Sequence, residues 1–185
     1  MEQVFAPWRI EWVTRDEPAE SADRCVFCAF PEADDDRENR IVARSEHAFV
    51  ILNNYPYNPG HVMVVPRPHG GRLQDLSDDV LLDHARLKTR TIDALETAMD
   101  PDGFNVGLNL GGPAAGGSID DHVHTHVVPR WDGDANFMPV IADTKVIVEA
   151  LEDTYDRLHE AFAAQQGTET SDPDMAVQIT APRSR

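Results

Sequence analysis

The sequence predicts an α+β fold, with a mainly antiparallel sheet and two principal helices. Strand patterns follow one another through tight turns, and a helical pattern follows each group of strands. A doubly wound parallel sheet would instead need a long crossover, usually a helix, between strands. At 185 residues, with 41% hydrophobic and 26% charged residues, the chain suits one folded domain with a real core.

Three strands are predicted in the first half of the chain. Residues 41–44 and 48–52 are short runs of mostly apolar residues, and residues 61–65 are a third run of this kind. Between the second and third runs, residues 53–60 contain three asparagines, two prolines and a glycine, which are typical of turns. Neighbouring runs are therefore expected to pair.

The two helices are predicted from apolar residues at helical spacing. Ser77, which two aspartates follow, is a good N-cap with an acidic first turn, and the pattern continues until Pro101 stops it. Residues 146–162 form a second amphipathic pattern. His84 and His159 lie within these two patterns and are interpreted as solvated side chains.

The most informative feature is a run with histidine at three alternate positions. His122, His124 and His126 lie in a run that alternates like a strand, which would send all three side chains to one face, about 6.6 Å apart. Burying three imidazoles is unfavourable unless each has a hydrogen-bonding partner. The pattern therefore favours a phosphate-handling site or a metal site.

A hairpin is expected to carry these histidines. Residues 104–110 alternate as a strand, and a glycine-rich segment connects them to the histidine run. This connection would bring Asn109, Gly117 and Ser118 close to the imidazoles. Adjacent N–H groups, a hydroxyl and three imidazoles form the donor-rich environment that phosphate oxygens prefer.

The chain is strongly acidic, with 33 acidic and 16 basic residues and a formal net charge of −17. This balance argues against a nucleic-acid partner, because such binding relies on clustered positive charge. An acidic surface is typical of proteins that work in molar salt, so we expect a halophilic source, such as a halophilic archaeon. The sequence has no apolar run of membrane-spanning length and no signal-peptide pattern, so we expect a cytoplasmic protein.

Cys25 and Cys28 are too close in sequence to form a useful structural disulfide. In a reducing compartment, a Cys-x-x-Cys pattern is more typical of a metal half-site or a redox pair. A reduced, buried cysteine pair is the alternative interpretation.

The chain divides into three segments by composition. Residues 1–24 mix aromatic and acidic residues and are expected to lie as an arm on the core. Residues 25–163 form the folded domain, and residues 164–185 are predicted to be a disordered polar tail.

Several motifs together resemble the histidine triad (HIT) superfamily of nucleotide hydrolases and transferases. Residues 122–128 match its alternating histidine signature, with Thr125 at a position that is usually apolar. Residues 53–66 are similar to the family's first nucleotide-binding strand pair. Residues 6–9 and 129–140 resemble the subgroup of diadenosine tetraphosphate hydrolases and phosphorylases. The resemblance implies a HIT-like fold.

The resemblance also implies a reaction at the α-phosphate of a nucleotide, such as a dinucleoside polyphosphate. His124 would be the nucleophile, giving a nucleotidyl-histidine intermediate that water or phosphate resolves. His126 would donate to a phosphate oxygen. The other substrate-binding positions that the resemblance implies are Asn53, Asn109, Gly117 and Ser118. For the asparagines and the serine, a local hydrogen bond in a turn is the alternative role.

A structural zinc ion and a homodimer are further implications of the resemblance. Cys25 and Cys28 would bind zinc together with His69 and His122, which leaves no open coordination position for catalysis. No organic cofactor is implied. Members of the family are typically homodimers in which two folds share one continuous sheet, and the N-terminal aromatic residues could serve that contact.

Two other functional classes stay open at this point. The first is an enzyme that holds one metal ion on all three histidines, although rings about 6.6 Å apart do not easily converge on one ion. The second is a nucleotide-binding sensor with little turnover. The sequence does not choose between water and phosphate as acceptor, so a phosphorolytic enzyme stays open as well.

Overall fold

The computed structural model describes residues 25–115, 119, 121–134 and 149–181. The strands are β1 (Ile41–Arg44), β2 (Ala48–Leu52), β3 (Val62–Pro66), β4 (Gly103–Leu108), β5 (Thr125–Arg130), β6 (Thr168–Glu169) and β7 (Val177–Ile179). The helices are α1 (Val26–Ala29), α2 (Asp78–Met99) and α3 (Leu151–Ala163). All seven strands form one sheet in the order β4-β5-β3-β2-β1-β7-β6.

The sheet is mainly antiparallel, and the predicted α+β class is confirmed. Only β1 and β7 pair in parallel; every other neighbouring pair of strands is antiparallel. Helices α2 and α3 pack on one face, where Leu95 and Phe162 are fully buried in the larger core cluster. Phe27 of α1 and Phe49 of β2 belong to a second, smaller cluster.

Local sequence signals placed α2 closely. The helix begins directly after Ser77, and Asp100 ends it in a left-handed conformation with φ 49°. In contrast, α3 begins at Leu151, after Glu149 and Ala150, which are not helical; the earlier part of the predicted range, residues 146–148, lies outside the described residues.

The interpretation of His84 as a solvated side chain is wrong. His84 is 5% exposed, and its Nε2 lies 3.2 Å from the Val64 carbonyl oxygen and 3.1 Å from Thr125 Oγ1. The helical pattern did place His84 on α2, but it could not show that β3 and β5 supply partners for the buried ring. The contact between His84 Nε2 and Thr125 Oγ1 also explains why a hydroxyl is tolerated at Thr125, where the resemblance leads one to expect an apolar residue.

The prediction of a disordered tail is wrong for residues 164–181, because this segment adds β6 and β7 to the sheet. Two buried charged residues fix it in place. The Arg90 guanidinium donates to the carbonyl oxygens of Gln166 and Ala181, at 2.8 and 2.7 Å. Asp36, which is fully buried, accepts from the Ala176 N–H at 3.0 Å. These partners lie far away in sequence, so the polar composition of the tail did not reveal them.

Two further predictions concern segments at the limits of the structure. The N-terminal arm, residues 1–24, and the last four positions, residues 182–185, lie outside the described residues.

Among the helices that the structure describes, none combines the length and the apolar character that a membrane span needs.

Candidate active site and metal-binding cluster

The three histidines enter β5 from a loop, and only His126 lies within the strand. The prediction that all three occupy one strand is therefore wrong for His122 and His124. The chain leaves the sheet register here because the Val123 N–H donates to the carbonyl oxygen of Gly70, at 2.8 Å, in the loop that follows β3. The rings of His124 and His126 still lie side by side, with centroids 4.9 Å apart.

His124 is buried, and one backbone hydrogen bond determines which of its ring nitrogens carries the proton. Its Nδ1 lies 2.8 Å from the carbonyl oxygen of His122. Because a carbonyl oxygen can only accept, Nδ1 must carry the proton, and a neutral ring then presents an unprotonated Nε2. Burial lowers the pKa of His124, and the bond to the His122 carbonyl opposes this shift. The neutral, nucleophilic form is therefore favoured near neutral pH.

His126 is held in the opposite protonation pattern by a chain of two hydrogen bonds. The Tyr57 N–H donates to Nδ1 of His61 at 3.1 Å, so a neutral His61 carries its proton on Nε2. That Nε2 lies 2.9 Å from Nδ1 of His126 and donates to it. A neutral His126 therefore carries its proton on Nε2 and can act as a hydrogen-bond donor there.

His61 is a site residue whose role the sequence reasoning missed. The ring is 1% exposed, and Tyr57 packs against it with ring centroids 4.5 Å apart. Gly60 directly precedes it with φ +75°, a backbone conformation that L side chains rarely adopt. The histidine after a proline–glycine turn was visible in the sequence, but its bond to a residue 65 positions away was not.

His122 faces a different group of residues. Its Nε2 donates to the Pro66 carbonyl oxygen at 2.7 Å, which leaves Nδ1 unprotonated in the neutral ring. That Nδ1 lies 3.4 Å from Cys25 Sγ and 3.7 Å from Cys28 Sγ. Both ring nitrogens of His122 thus have partners other than His124 and His126, which argues against a single metal ion shared by all three rings.

Cys25, Cys28, His69 and His122 form a compact group of four potential metal ligands. One atom from each side chain lies within 4.8 Å of the others, and Cys28 Sγ is 3.4 Å from His69 Nδ1. Ligand bonds of about 2.3 Å for sulfur and 2.0–2.1 Å for nitrogen place the corners of a tetrahedral zinc site about 3.5 Å apart. The measured sulfur–nitrogen distances of 3.4 to 3.7 Å match this spacing, so the residues fit a tetrahedral zinc ion.

The surroundings of the cluster also suit metal binding. A histidine ligand commonly donates its other ring N–H to a carbonyl or carboxylate oxygen, which orients the ring. His122 does so to Pro66, and Nε2 of His69 lies 3.8 Å from the Asp121 carboxylate. The two histidines of the cluster are thus oriented by contacts that their other ring nitrogens make with Pro66 and Asp121.

Comparison with known proteins identifies the family. The model of the HIT domain matches residues 35–133. A Mycobacterium tuberculosis protein named AP-4-A phosphorylase is 39% identical over 170 residues, which cover 89% of this chain and 86% of the relative. The chain belongs to the HIT domain family.

Two further HIT proteins are informative relatives. The crystal structure of a zinc-bound histidine triad protein from Mycobacterium smegmatis aligns with a TM-score of 0.60 at 27% identity, covering 77% of this chain and 96% of that chain. The adenosine 5'-monophosphoramidase of Saccharomyces cerevisiae is 32% identical over 115 residues, which cover 62% of this chain and 68% of the yeast protein.

The remaining predicted HIT site residues have different surroundings. Asn53 makes a local turn contact, because its Oδ1 accepts the Tyr55 N–H at 2.8 Å, and its Nδ2 lies 3.7 Å from Met63 Sδ. Asn109 follows the end of β4, where Leu108 pairs with Thr125, and it is partly buried. Gly117 and Ser118 lie outside the described residues.

Proposed function

We propose that this HIT protein is an enzyme that transfers a nucleotidyl group from the α-phosphate of a dinucleoside polyphosphate, such as diadenosine tetraphosphate, or of a related nucleoside phosphoester. One observation carries the proposal: the neighbouring rings of His124 and His126 are held in opposite protonation patterns. One ring therefore offers a nucleophilic nitrogen, and the ring beside it offers a donor. Phosphoryl transfer needs both functions at one phosphate.

His124 begins the proposed reaction by attacking the α-phosphorus. Its Nε2 forms the new P–N bond while the bond from phosphorus to the leaving phosphate oxygen breaks, which gives a nucleotidyl-histidine intermediate. The ring then carries positive charge, and the bond from Nδ1–H to the His122 carbonyl stabilises it. His126 donates to a phosphate oxygen as negative charge builds there.

Either water or phosphate resolves the intermediate in the second step. Water would add its oxygen to phosphorus as the P–N bond breaks, releasing a nucleoside monophosphate. Inorganic phosphate would release a nucleoside diphosphate instead. The name of the mycobacterial relative supports phosphate as the acceptor. We also propose, as the resemblance implies, that the nucleotide is bound by Asn53, Asn109, Gly117 and Ser118.

Product analysis with diadenosine tetraphosphate tests this function. AMP and ATP as the products indicate hydrolysis, whereas ADP and ATP that appear only with added phosphate indicate phosphorolysis. His124→Gly should abolish turnover and retain nucleotide affinity. If the wild-type chain binds nucleotide but turns over neither this substrate nor adenosine 5'-phosphoramidate, the protein is a sensor and the enzymatic proposal is wrong.

A structural zinc ion on Cys25, Cys28, His69 and His122 is the second part of the proposal. When bound, zinc would link the turn at the cysteines to the segment that carries the histidines; with all four corners taken, no position stays open for substrate. Elemental analysis should find about one zinc ion per chain, and Cys28→Ser should reduce that content. A zinc-free wild-type protein that retains its thermal stability would contradict the assignment.

We further propose that the protein is a cytoplasmic homodimer. In the described part of the chain, β4 is the last strand at one edge of the sheet, and its exposed side would allow a second copy to extend the sheet. A zinc site with two thiolate ligands requires reduced cysteines, which supports a reducing compartment.

A further inference from the structure

Phe27 lies between the two cysteines and touches the proposed nucleophile. Its ring centroid is 5.2 Å from that of His124, with an interplanar angle of 55°. The same ring meets His122 edge-on, at 5.6 Å and 86°. Phe27 is 2% exposed. The buried Phe27 side chain therefore contacts both His122, a predicted metal ligand, and His124, the proposed nucleophile.

Two physical routes join the cysteine and histidine cluster to His124. The first is the backbone of His122, whose imidazole belongs to the cluster and whose carbonyl oxygen holds Nδ1 of His124. The second is Phe27, whose position is set by flanking cysteines that lie 3.4 Å from His122 and His69. The hydrogen bond fixes one edge of the His124 ring but leaves the ring able to tilt, and the aromatic contact restricts that tilt.

We propose that Phe27 is a positioning residue for His124, and that the metal-binding cluster acts on the rate of nucleotidyl transfer by holding Phe27 in place. The proposal rests on the role of His124 as the nucleophile. Because Phe27 is almost fully buried, it offers little surface to a nucleotide. Its loss should therefore lower the rate of the chemical step and leave substrate binding nearly unchanged.

The test replaces Phe27 with smaller or more flexible apolar side chains. Phe27→Leu and Phe27→Met should each lower kcat roughly 10- to 100-fold, the size of effect expected when a reacting group is misplaced by about 1 Å. KM should stay within about twofold, and the zinc content should stay close to that of the wild type, while the smaller side chains in the core should lower the thermal midpoint by a few degrees. Phe30→Leu is the matched control, because Phe30 packs against the same core cluster as Phe27. The control should retain wild-type kcat.

A second measurement reads the ring directly, without nucleotide. Long-range ¹⁵N–¹H correlation spectra of the zinc-loaded, full-length protein report which nitrogen of each histidine carries the proton. In both Phe27 variants, the His124 signals should show a proton exchanging between Nδ1 and Nε2 instead of a proton fixed on Nδ1. The signals of His61 should stay as in the wild type.

Three results would overturn the proposal. One is a rise in KM at unchanged kcat, which would make Phe27 a substrate contact. Another is an equal loss of kcat in Phe30→Leu, which would reduce the effect to general packing. The third is a wild-type His124 spectrum in both Phe27 variants. If the wild-type chain turns over no nucleotide, the proposed function fails, and the spectra alone then decide the positioning role.

Discussion

At the scale of single residues, hydrogen-bond partners give three histidines three different properties. A backbone carbonyl leaves Nε2 of His124 unprotonated, while a backbone N–H acting through His61 leaves Nε2 of His126 protonated. A second carbonyl oxygen, that of Pro66, directs Nδ1 of His122 toward the cysteines. The alternating motif marks the site, but these partners determine what each ring can do.

The buried His84 leads to a prediction about acid stability. Burial is the main cause that lowers the pKa of His84 below its ordinary value of 6.5, so the unfolded chain takes up this proton at a higher pH than the folded protein. Its contribution to stability is fully present above the unfolded pKa and is lost as the pH falls through the folded pKa. The contribution of His84 to the thermal midpoint should therefore decrease as the pH is lowered from 7 to 5.

His84→Gln isolates this contribution, because glutamine can still donate toward Val64 but cannot titrate. Over the same pH interval, the thermal midpoint of the wild type should decrease relative to that of the variant, as measured by thermal unfolding at both pH values. All other residues are the same in both proteins, so their contributions cancel in the comparison. An identical pH dependence of the midpoint in both proteins would contradict a buried, neutral His84.

At the scale of elements, the sequence predicted those segments whose signals are local. The limits of α2 and of β2 follow from a cap, from helical spacing and from a short apolar run. Pairing of β4 with β5 followed from a short connection. In contrast, the strands of the tail depend on Arg90 and Asp36, whose partners lie between 76 and 140 positions away. Local sequence patterns do not reveal contacts between residues so far apart in the chain.

The candidate site divides in the same way. The histidine motif, with its alternate spacing, was visible directly, and so were Cys25 and Cys28 as a candidate metal half-site or redox pair. His69 and His122 joined them as candidate ligands only through the resemblance to known proteins. The roles of His61 and Phe27 were not predicted, because each depends on a contact between distant elements. The sequence offered only a histidine after a turn and a phenylalanine between two cysteines.

Gly60 provides an element-scale prediction for the turn that leads into β3. Gly60 has φ +75°, and a Cβ there would lie 2.4 Å from Met99 Sδ on α2. Gly60→Ala should therefore lower the free energy of unfolding by about 2–4 kcal/mol, through backbone strain and overpacking together. Urea unfolding measures the change.

Gly133 is the matched control for this prediction. It has the same φ of +75°, but a Cβ there would meet nothing within 4 Å. Gly133→Ala should therefore show only the backbone contribution, about 1 kcal/mol. Equal losses in the two variants would mean that α2 does not pack tightly on the turn.

At the scale of the whole molecule, the net charge of −17 predicts a dependence on salt. Repulsion among like charges destabilises the folded state, and salt screens it, since the Debye length falls from about 10 Å at 0.1 M to about 3 Å at 1 M. The thermal midpoint at pH 7 should therefore rise between 0.1 and 1 M sodium chloride, as expected for a protein from a halophilic source. Near the isoelectric point of about 4.6, the rise should be much smaller. A midpoint that falls with salt at pH 7 would contradict the expectation of a halophilic source.

The assembly of the molecule depends on the edge formed by β4. Val106 on this strand is 45% exposed, and a lysine there should weaken pairing with a second chain, because the contact would bury a charge at the edge of the sheet. In sedimentation equilibrium, the wild type should show twice the 20.6 kDa chain mass, and Val106→Lys should shift the protein toward the mass of one chain. Leu82→Lys is the control, because Leu82 is similarly exposed, at 49%, but lies on α2. A wild-type protein that sediments as one chain, or a dimer that both variants retain, would rule out β4 as the interface.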